Sequence, residues 1–89
     1  MRIDMLLNKL CLTKTRSIAK NACDKNLVWI NDKLAKASAE IHPGDTVRFQ
    51  LYGFDHTIRI DNVPGGNVAK KDTGNYYTML SRIALPTAD

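Results

Sequence analysis

Cysteine and histidine are scarce in this sequence, and that scarcity narrows its chemistry. Cys11 and Cys23 are the only cysteines, His42 and His56 the only histidines, and together they form no metal-ligand spacing. A disulfide scaffold and a Cys/His metal centre are set aside, and the thiols read as small, half-buried side chains in a reducing, cytosolic setting. Long apolar runs are missing too. Asp4, Asn8 and Lys9 interrupt MRIDMLLNKL, so it does not read as a secretory leader. No stretch nears the ~20 apolar residues that a membrane helix needs. A cytoplasmic protein without a membrane partner is expected. Catalytic signatures are equally thin: Ser17, Ser38 and Ser81 lie in no nucleophile-elbow sequence, and Gly65-Gly66 lacks a phosphate-loop lysine. Neither an enzyme nor a bound metal or cofactor is expected.

What is present is ordinary in amount and uneven in arrangement. The 89 residues suffice for one domain, and 44% apolar with 25% charged content excludes a disordered or collagen-like chain. The net charge is +4 and the isoelectric point about 9.3. Residues 1–40 carry eight Lys and Arg against four acids, whereas residues 41–89 carry five against five. The whole excess lies in the first half. Such asymmetry fits a nucleic-acid footprint, with a solvated basic face as the blander reading.

Ile3, Leu6, Leu7 and Leu10 recur at i, i+3, i+4 and i+7, which predicts a short helix with Arg2 and Lys9 off its apolar stripe. Thr13 and Thr15 are both suited to cap a second helix running to about Lys25. Ile18, Ala19, Ala22 and Cys23 would face inward there, with Arg16 and Lys20 as outward i, i+4 neighbours. Past Leu27 the period shortens to two. Residues 27–30 predict a strand, Asn31-Asp32 a tight turn tolerant of positive φ, and Pro43-Gly44-Asp45 a second turn. Val47, Phe49 and Leu51 alternate with Arg48, Gln50 and Tyr52 as a half-buried strand. Gly53-Phe54-Asp55 is expected to turn the chain into residues 56–63, where Ile58 and Ile60 share a face. Pro64-Gly65-Gly66-Asn67 is expected to end the sheet. Tyr76, Met79, Leu80 and Ile83 allow a short helix, and residues 84–89 are expected to fray. The predicted class is α+β: two N-terminal helices packed on a small antiparallel sheet of three or four strands, then a short helical tail. The expected division is a domain over residues 1–63 and a partly helical tail over residues 64–89.

The segments RIDMLLNKL, KTRSIAKNAC and NLVWINDKLAKASAEIHPGD carry, in order, Arg2, Asp4 and Leu7; Thr15, Arg16, Ser17 and Ala19; Val28, Ile30 and Asn31; and Gly44 with Asp45. Over residues 1–51 this order and spacing closely resembles the S-four RNA-binding domain family. That family's pattern runs Arg-x-Asp-x-x-Leu, Thr/Ser-Arg-Ser-x-Ala, Val-x-Val-Asn-Gly and a closing Gly-Asp. Asn26 and Asp32 stand where the family carries glycine, and both residue types tolerate left-handed backbone. Met5 stands where a lysine often follows the aspartate, which removes one phosphate contact.

The resemblance implies an RNA-binding surface made of Arg2, Lys9, Lys14, Thr15, Arg16, Ser17, Lys20, Asn31, Lys33 and Lys36. Among its stand-alone members, the chain looks most like the group of the fifteen-kilodalton heat-shock protein. That implies action on ribosomal RNA or tRNA at the large ribosomal subunit, in rescue of stalled ribosomes, and a monomer is expected. Physical chemistry supports such a surface. A guanidinium at position 16 can bridge two phosphate oxygens or stack on a base, lysines supply point charges, and Thr15 and Ser17 add hydroxyl donors near a helix start. RNA grooves are read mainly through shape, backbone and 2′-hydroxyls. Asp4 reads better as a helix cap or partner of Arg2 than as an RNA contact. Trp29 could stack on a base or cover the sheet, and Tyr76 and Tyr77 read as packing residues. Two other classes fit the basic face: a protein-interaction module, and a DNA binder of the helix-turn-helix kind. The immediate passage into VWIND argues against the DNA binder.

Overall fold

Two helices, α1 (Ile3–Lys9) and α2 (Arg16–Asp24), lead into β1 (Val28–Ile30), β2 (Lys33–Leu34), β3 (Thr46–Leu51) and β4 (Phe54–Ile60). A 3-10 turn (Lys70–Asn75) and β5 (Tyr77–Ala84) come after them, in a computed structural model that describes residues 1–86. The predicted stripe of α1 is fully inside, with Ile3, Leu6, Leu7 and Leu10 at most 1% exposed. A helix cannot satisfy its own first N–H groups. In α1 they go to a neighbouring segment: Ile3 N–H donates to Ala39 O at 2.8 Å and Asp4 N–H to Ala37 O at 3.3 Å.

Both helices stop in the same way. Leu12 N–H reaches Leu7 O and Cys11 N–H reaches Asn8 O; Leu27 N–H reaches Ala22 O and Asn26 N–H reaches Cys23 O. These are Schellman caps, which place one residue in left-handed backbone and usually give that position to glycine. Here Cys11 (φ 59°) and Asn26 (φ 61°) fill it.

The strands form a five-stranded antiparallel sheet in the order β2-β1-β3-β4-β5. Asn31 and Asp32, at φ 50° and 67°, make the two-residue turn between β1 and β2. The β3–β4 turn lies one residue earlier than the sequence suggested. Tyr52 and Gly53 carry the two positive φ values, 55° and 79°, while Phe54 and Asp55 already pair with Leu51 and Gln50. Two consecutive left-handed residues match the natural twist of a hairpin, and that outweighed the turn-like composition of residues 53–55. Val28, Val47, Phe49, Ile58 and Ile60 line the sheet face under the helices, each at most 1% exposed. Burying each such side chain contributes about 1.5–3 kcal/mol.

The tail departs from expectation. Residues 64–67 do not end the sheet, and Tyr76, Met79, Leu80 and Ile83 do not form a helix: only Lys70–Asn75 is helical, as a 3-10 turn. Tyr77–Ala84 is a strand paired along β4 from Ile60 back to Phe54. The apolar spacing was consistent with a helix, but β4 offers a full row of backbone partners that would otherwise face solvent unpaired. Gly74 and the β-favouring Tyr, Thr and Ile of the segment act the same way. Met79, Leu80 and Ile83 are 42%, 49% and 63% exposed, so no apolar helical face is buried. A bulge opposite Thr57 and Ile58 skips Leu80 in the register. Residues 87–89 of the expected fraying lie outside the described residues.

Between β4 and β5 the chain makes a closed excursion. Asp61 and Asn62 N–H both donate to Tyr76 O, at 2.9 and 3.1 Å, which pins its two ends together. The body of this loop reaches the helices: Lys9 Nζ donates to Asn67 Oδ1 at 3.3 Å.

Candidate nucleic-acid interface

The loop joining α1 to α2 is held from three sides. Thr13 is buried, and its hydroxyl donates to Thr15 O at 2.9 Å. Asn8 Nδ2 donates to Thr13 O at 3.4 Å, and Lys14 N–H donates to the Tyr52 hydroxyl at 3.2 Å. Of the two cap candidates Thr15 is the one used, its hydroxyl accepting Ile18 N–H at 3.2 Å. These bonds fix the start of α2, and with it the direction in which Arg16 and Ser17 leave the backbone.

Asp4 gathers the basic side chains around that helix start. It is 2% exposed, and its Oδ2 accepts from Arg2 Nη2 at 3.2 Å and from Arg16 Nε at 3.4 Å. One buried carboxylate oxygen therefore draws together two arginines whose side chains stay 42% and 46% exposed. The free faces of these guanidiniums, with Ser17 and Lys20, line an open cleft of about 310 Å³. Arg16 also borders a second cleft, of about 430 Å³, whose walls come from Met5, Asn8, Lys9 and Cys11 on one side and Asn67 and Val68 on the other. Arg16 is the ridge between the two.

The other expected residues distribute around this centre. Lys14 and Lys20 are exposed on the loop and on α2. Lys33 and Lys36 lie apart, around a cleft of about 410 Å³ beside Leu34, Ala39 and Glu40. Asn31 uses both ends of its amide within the fold, accepting Thr46 N–H and donating to Asp45 Oδ1, each at 3.0 Å. Thr15 likewise commits its hydroxyl to the cap. Sequence reasoning missed three contributors. Asp4 reads from the sequence as a helix cap or a partner of Arg2; α1 has no side-chain cap, and nothing in the spacing of residues 4 and 16 reveals the contact shared with Arg16. Tyr52 and Asn67 arrive from distant turns, and only the fold brings them near.

The charges sort by face. Among the described residues no lysine forms an ion pair. Two arginines of the sheet, by contrast, are paired with acids, and the third, Arg82, lies 4.0 Å over the Phe54 ring with no acidic partner among the described residues. Arg48 bonds Asp55 at 2.7 Å, and Arg59 bonds Asp61 at 2.9 Å. The Arg48 guanidinium holds the Asp55 carboxyl below the ordinary carboxylate range, and the Thr78 hydroxyl, then Arg59, does the same for Asp61. Arg48 also lies 4.8 Å over the Trp29 ring, so Trp29 covers the sheet and has a cation on its face already. Tyr76 and Tyr77 pack against the core. Burial, then Asp4 and Asp24, push the Cys23 thiol up to about 11, which leaves it protonated and inert. No helix of the described residues is long and apolar enough to cross a membrane.

Comparison with known proteins bears on this half of the chain and on the rest of it. The model of the S4 domain matches residues 1–47. A Helicobacter pylori protein (strain ATCC 700392 / 26695) named RQC P-site tRNA stabilizing factor is 38% identical over 77 residues, covering 85% of this chain and 92% of the relative. A Bacillus subtilis (strain 168) protein of the same name is 31% identical over 85 residues, covering 96% and 98%. Among solved structures, the trimeric Vibrio cholerae heat shock protein 15 superposes with a TM-score of 0.84 at 23% identity, over 91% of this chain and 82% of that one. The solution structure of the hypothetical protein HP1423 gives 0.78 at 35% identity, over 91% and 98%.

Proposed function

Because the chain belongs to the S4 domain family, we propose that it is a non-catalytic RNA-binding protein of ribosome quality control. In this reading it grips tRNA and ribosomal RNA on the large ribosomal subunit of a stalled ribosome, in the cytoplasm and as a monomer. The observation that carries the reading is the convergence of Arg2 and Arg16 on buried Asp4, with Ser17 and Lys20 completing the cleft. Such a cleft suits phosphate. Its two arginines are held by a buried carboxylate, a lysine lies beside them, and a hydroxyl flanks them. Unpaired Lys14 and Lys20 extend the same field around the helices, while Arg48 and Arg59 on the sheet are paired with Asp55 and Asp61. The two relatives carry a name that specifies a P-site tRNA, and they match this chain over most of its length.

The direct test is sedimentation of a lysate through a gradient, with the tagged protein tracked by immunoblot and its RNA contacts mapped by crosslinking. Comigration with large subunits and crosslinks to tRNA and ribosomal RNA are expected. Recovery only in the ribosome-free fraction would overturn the ribosomal part of the reading.

A further inference from the structure

The two clefts flanking Arg16 differ in chemistry. The one around Asp4 is cationic and hydroxylic. The other is walled by Met5, Cys11 and Val68, by the amide residues Asn8 and Asn67, and by the cations Lys9 and Arg16. Lys9 is engaged with Asn67 and Arg16 with Asp4, so phosphate alone would use only part of such walls. A flat, partly apolar group with hydrogen-bonding edges would gain much.

The amides that line it have unused capacity for such a guest. Asn8 commits Nδ2 to Thr13 O, and among the described residues its Oδ1 has no partner. Asn67 commits Oδ1 to Lys9 Nζ, and among the described residues its Nδ2 has none. One free acceptor and one free donor thus belong to residues that line a cleft of about 430 Å³, within the roughly 300–1,000 Å³ usual for small-ligand sites. A nucleobase edge presents the complementary pair, and its faces suit the apolar walls.

On this ground, and resting on the RNA-binding reading above, we infer that the cleft between α1 and the 65–69 loop receives a single unpaired RNA base. Arg16 on the ridge spans the base and the phosphate that leads into the Asp4 cleft. The loop beyond residue 63 is therefore part of the binding surface, and the protein prefers RNA with an extruded nucleotide over the same helix fully paired.

The experiment compares two RNA hairpins that differ only by one bulged nucleotide, binding to the full chain and to Asn67→Ala and Val68→Phe. Asn67 is exposed, so its replacement should leave the fold intact, and thermal melts check both variants. The parent should prefer the bulged hairpin by roughly tenfold, the worth of one good hydrogen-bonding pair. Both variants should lose that preference while binding the paired hairpin as the parent does. Equal binding of the two hairpins by the parent, or a preference that survives both substitutions, would overturn the inference and leave the RNA-binding reading standing. Failure to bind either hairpin would instead overturn the RNA-binding reading itself. A free nucleoside monophosphate is the third probe. Displacement of both RNAs at micromolar concentration would make the cleft a small-molecule site and overturn its assignment to RNA; no displacement is expected.

Discussion

The hydroxyl of Tyr52 accepts a hydrogen bond from the backbone N–H of Lys14 at 3.2 Å, so the β3–β4 turn holds the loop that starts α2. Tyr52→Phe removes that bond and nothing else of the ring. A stability loss of about 0.5–1 kcal/mol is expected, at the low end for a hydrogen bond because the side chain is half exposed. Amide exchange at Lys14 should quicken more than at α2. Unchanged exchange there would show that the loop holds its shape without the tyrosine.

Arg16 makes two demands that a lysine cannot meet together: Nε donates to Asp4 while the rest of the fork faces the cleft. Arg16→Lys and Arg16→Ala should both lose about tenfold or more in RNA affinity, the worth of a charge-assisted contact. Arg16→Ala should also lower the thermal midpoint by a few degrees, since Asp4 then keeps one arginine where it had two. Parental binding by Arg16→Lys would reduce the residue to a plain charge.

Asp4→Asn gives an outcome whose sign is diagnostic. If the carboxylate merely sits near the phosphate, deleting its negative charge should strengthen binding. If it positions Arg2 and Arg16, binding should weaken several-fold despite the more favourable net charge, and weakening is the expected result. Equilibrium binding at fixed salt, on protein shown by melting to be folded, decides between them.

Charge reversal should map the surface. Lys14→Glu and Lys20→Glu alter cations with no acidic partner, whereas Arg48→Glu and Arg59→Glu alter arginines already paired with Asp55 and Asp61. The first two should weaken binding far more than the second two. For about four to six neutralised phosphates, log K should fall with log salt at a slope near −3 to −4 on single strands. A slope near zero, or equal losses at all four positions, would remove the surface reading.

Cys11→Gly should stabilise the protein. Cys11 holds φ 59° as the left-handed residue of the α1 cap. That conformation costs a side chain about 1–2 kcal/mol, and glycine's extra unfolded freedom returns part of it. A net gain of about 0.5–1 kcal/mol, or roughly 2–8 °C in thermal midpoint, is expected. A lower midpoint would mean that packing of the thiol outweighs the backbone term.

Much of this architecture was legible because it is local. The α1 stripe, the Thr15 cap, the Asn31-Asp32 turn and the alternation of Val47, Phe49 and Leu51 each depend on residues a few positions apart, where side-chain period and backbone preference dictate the outcome. The left-handed tolerance of Asn26 and Asp32 was legible for the same reason. What escaped was non-local. Tyr77–Ala84 has an apolar spacing that suits a helix, and the bonding groups along β4 that make it a strand are invisible in its own residues. The sharing of Asp4 by Arg2 and Arg16, the reach of Tyr52 to Lys14 and that of Lys9 to Asn67 all join parts of the chain that meet only after folding.

The order of strands across the sheet nearly matches their order along the chain, and β5 pairs only with β4, the strand before it. Such neighbour pairings can form in order as the chain emerges during synthesis. Both helices and the first four strands can bury Leu6, Phe49 and Ile58 together before residue 77 exists. At that moment the cationic cleft around Asp4 already has all its walls. The cleft across Arg16 has only one, and its second wall arrives when the returning chain brings Asn67 and Val68 back toward Lys9. On the proposed assignment of the two clefts, a nascent protein passes through a stage that holds a phosphate without yet discriminating the base attached to it, and β5 marks the end of that stage.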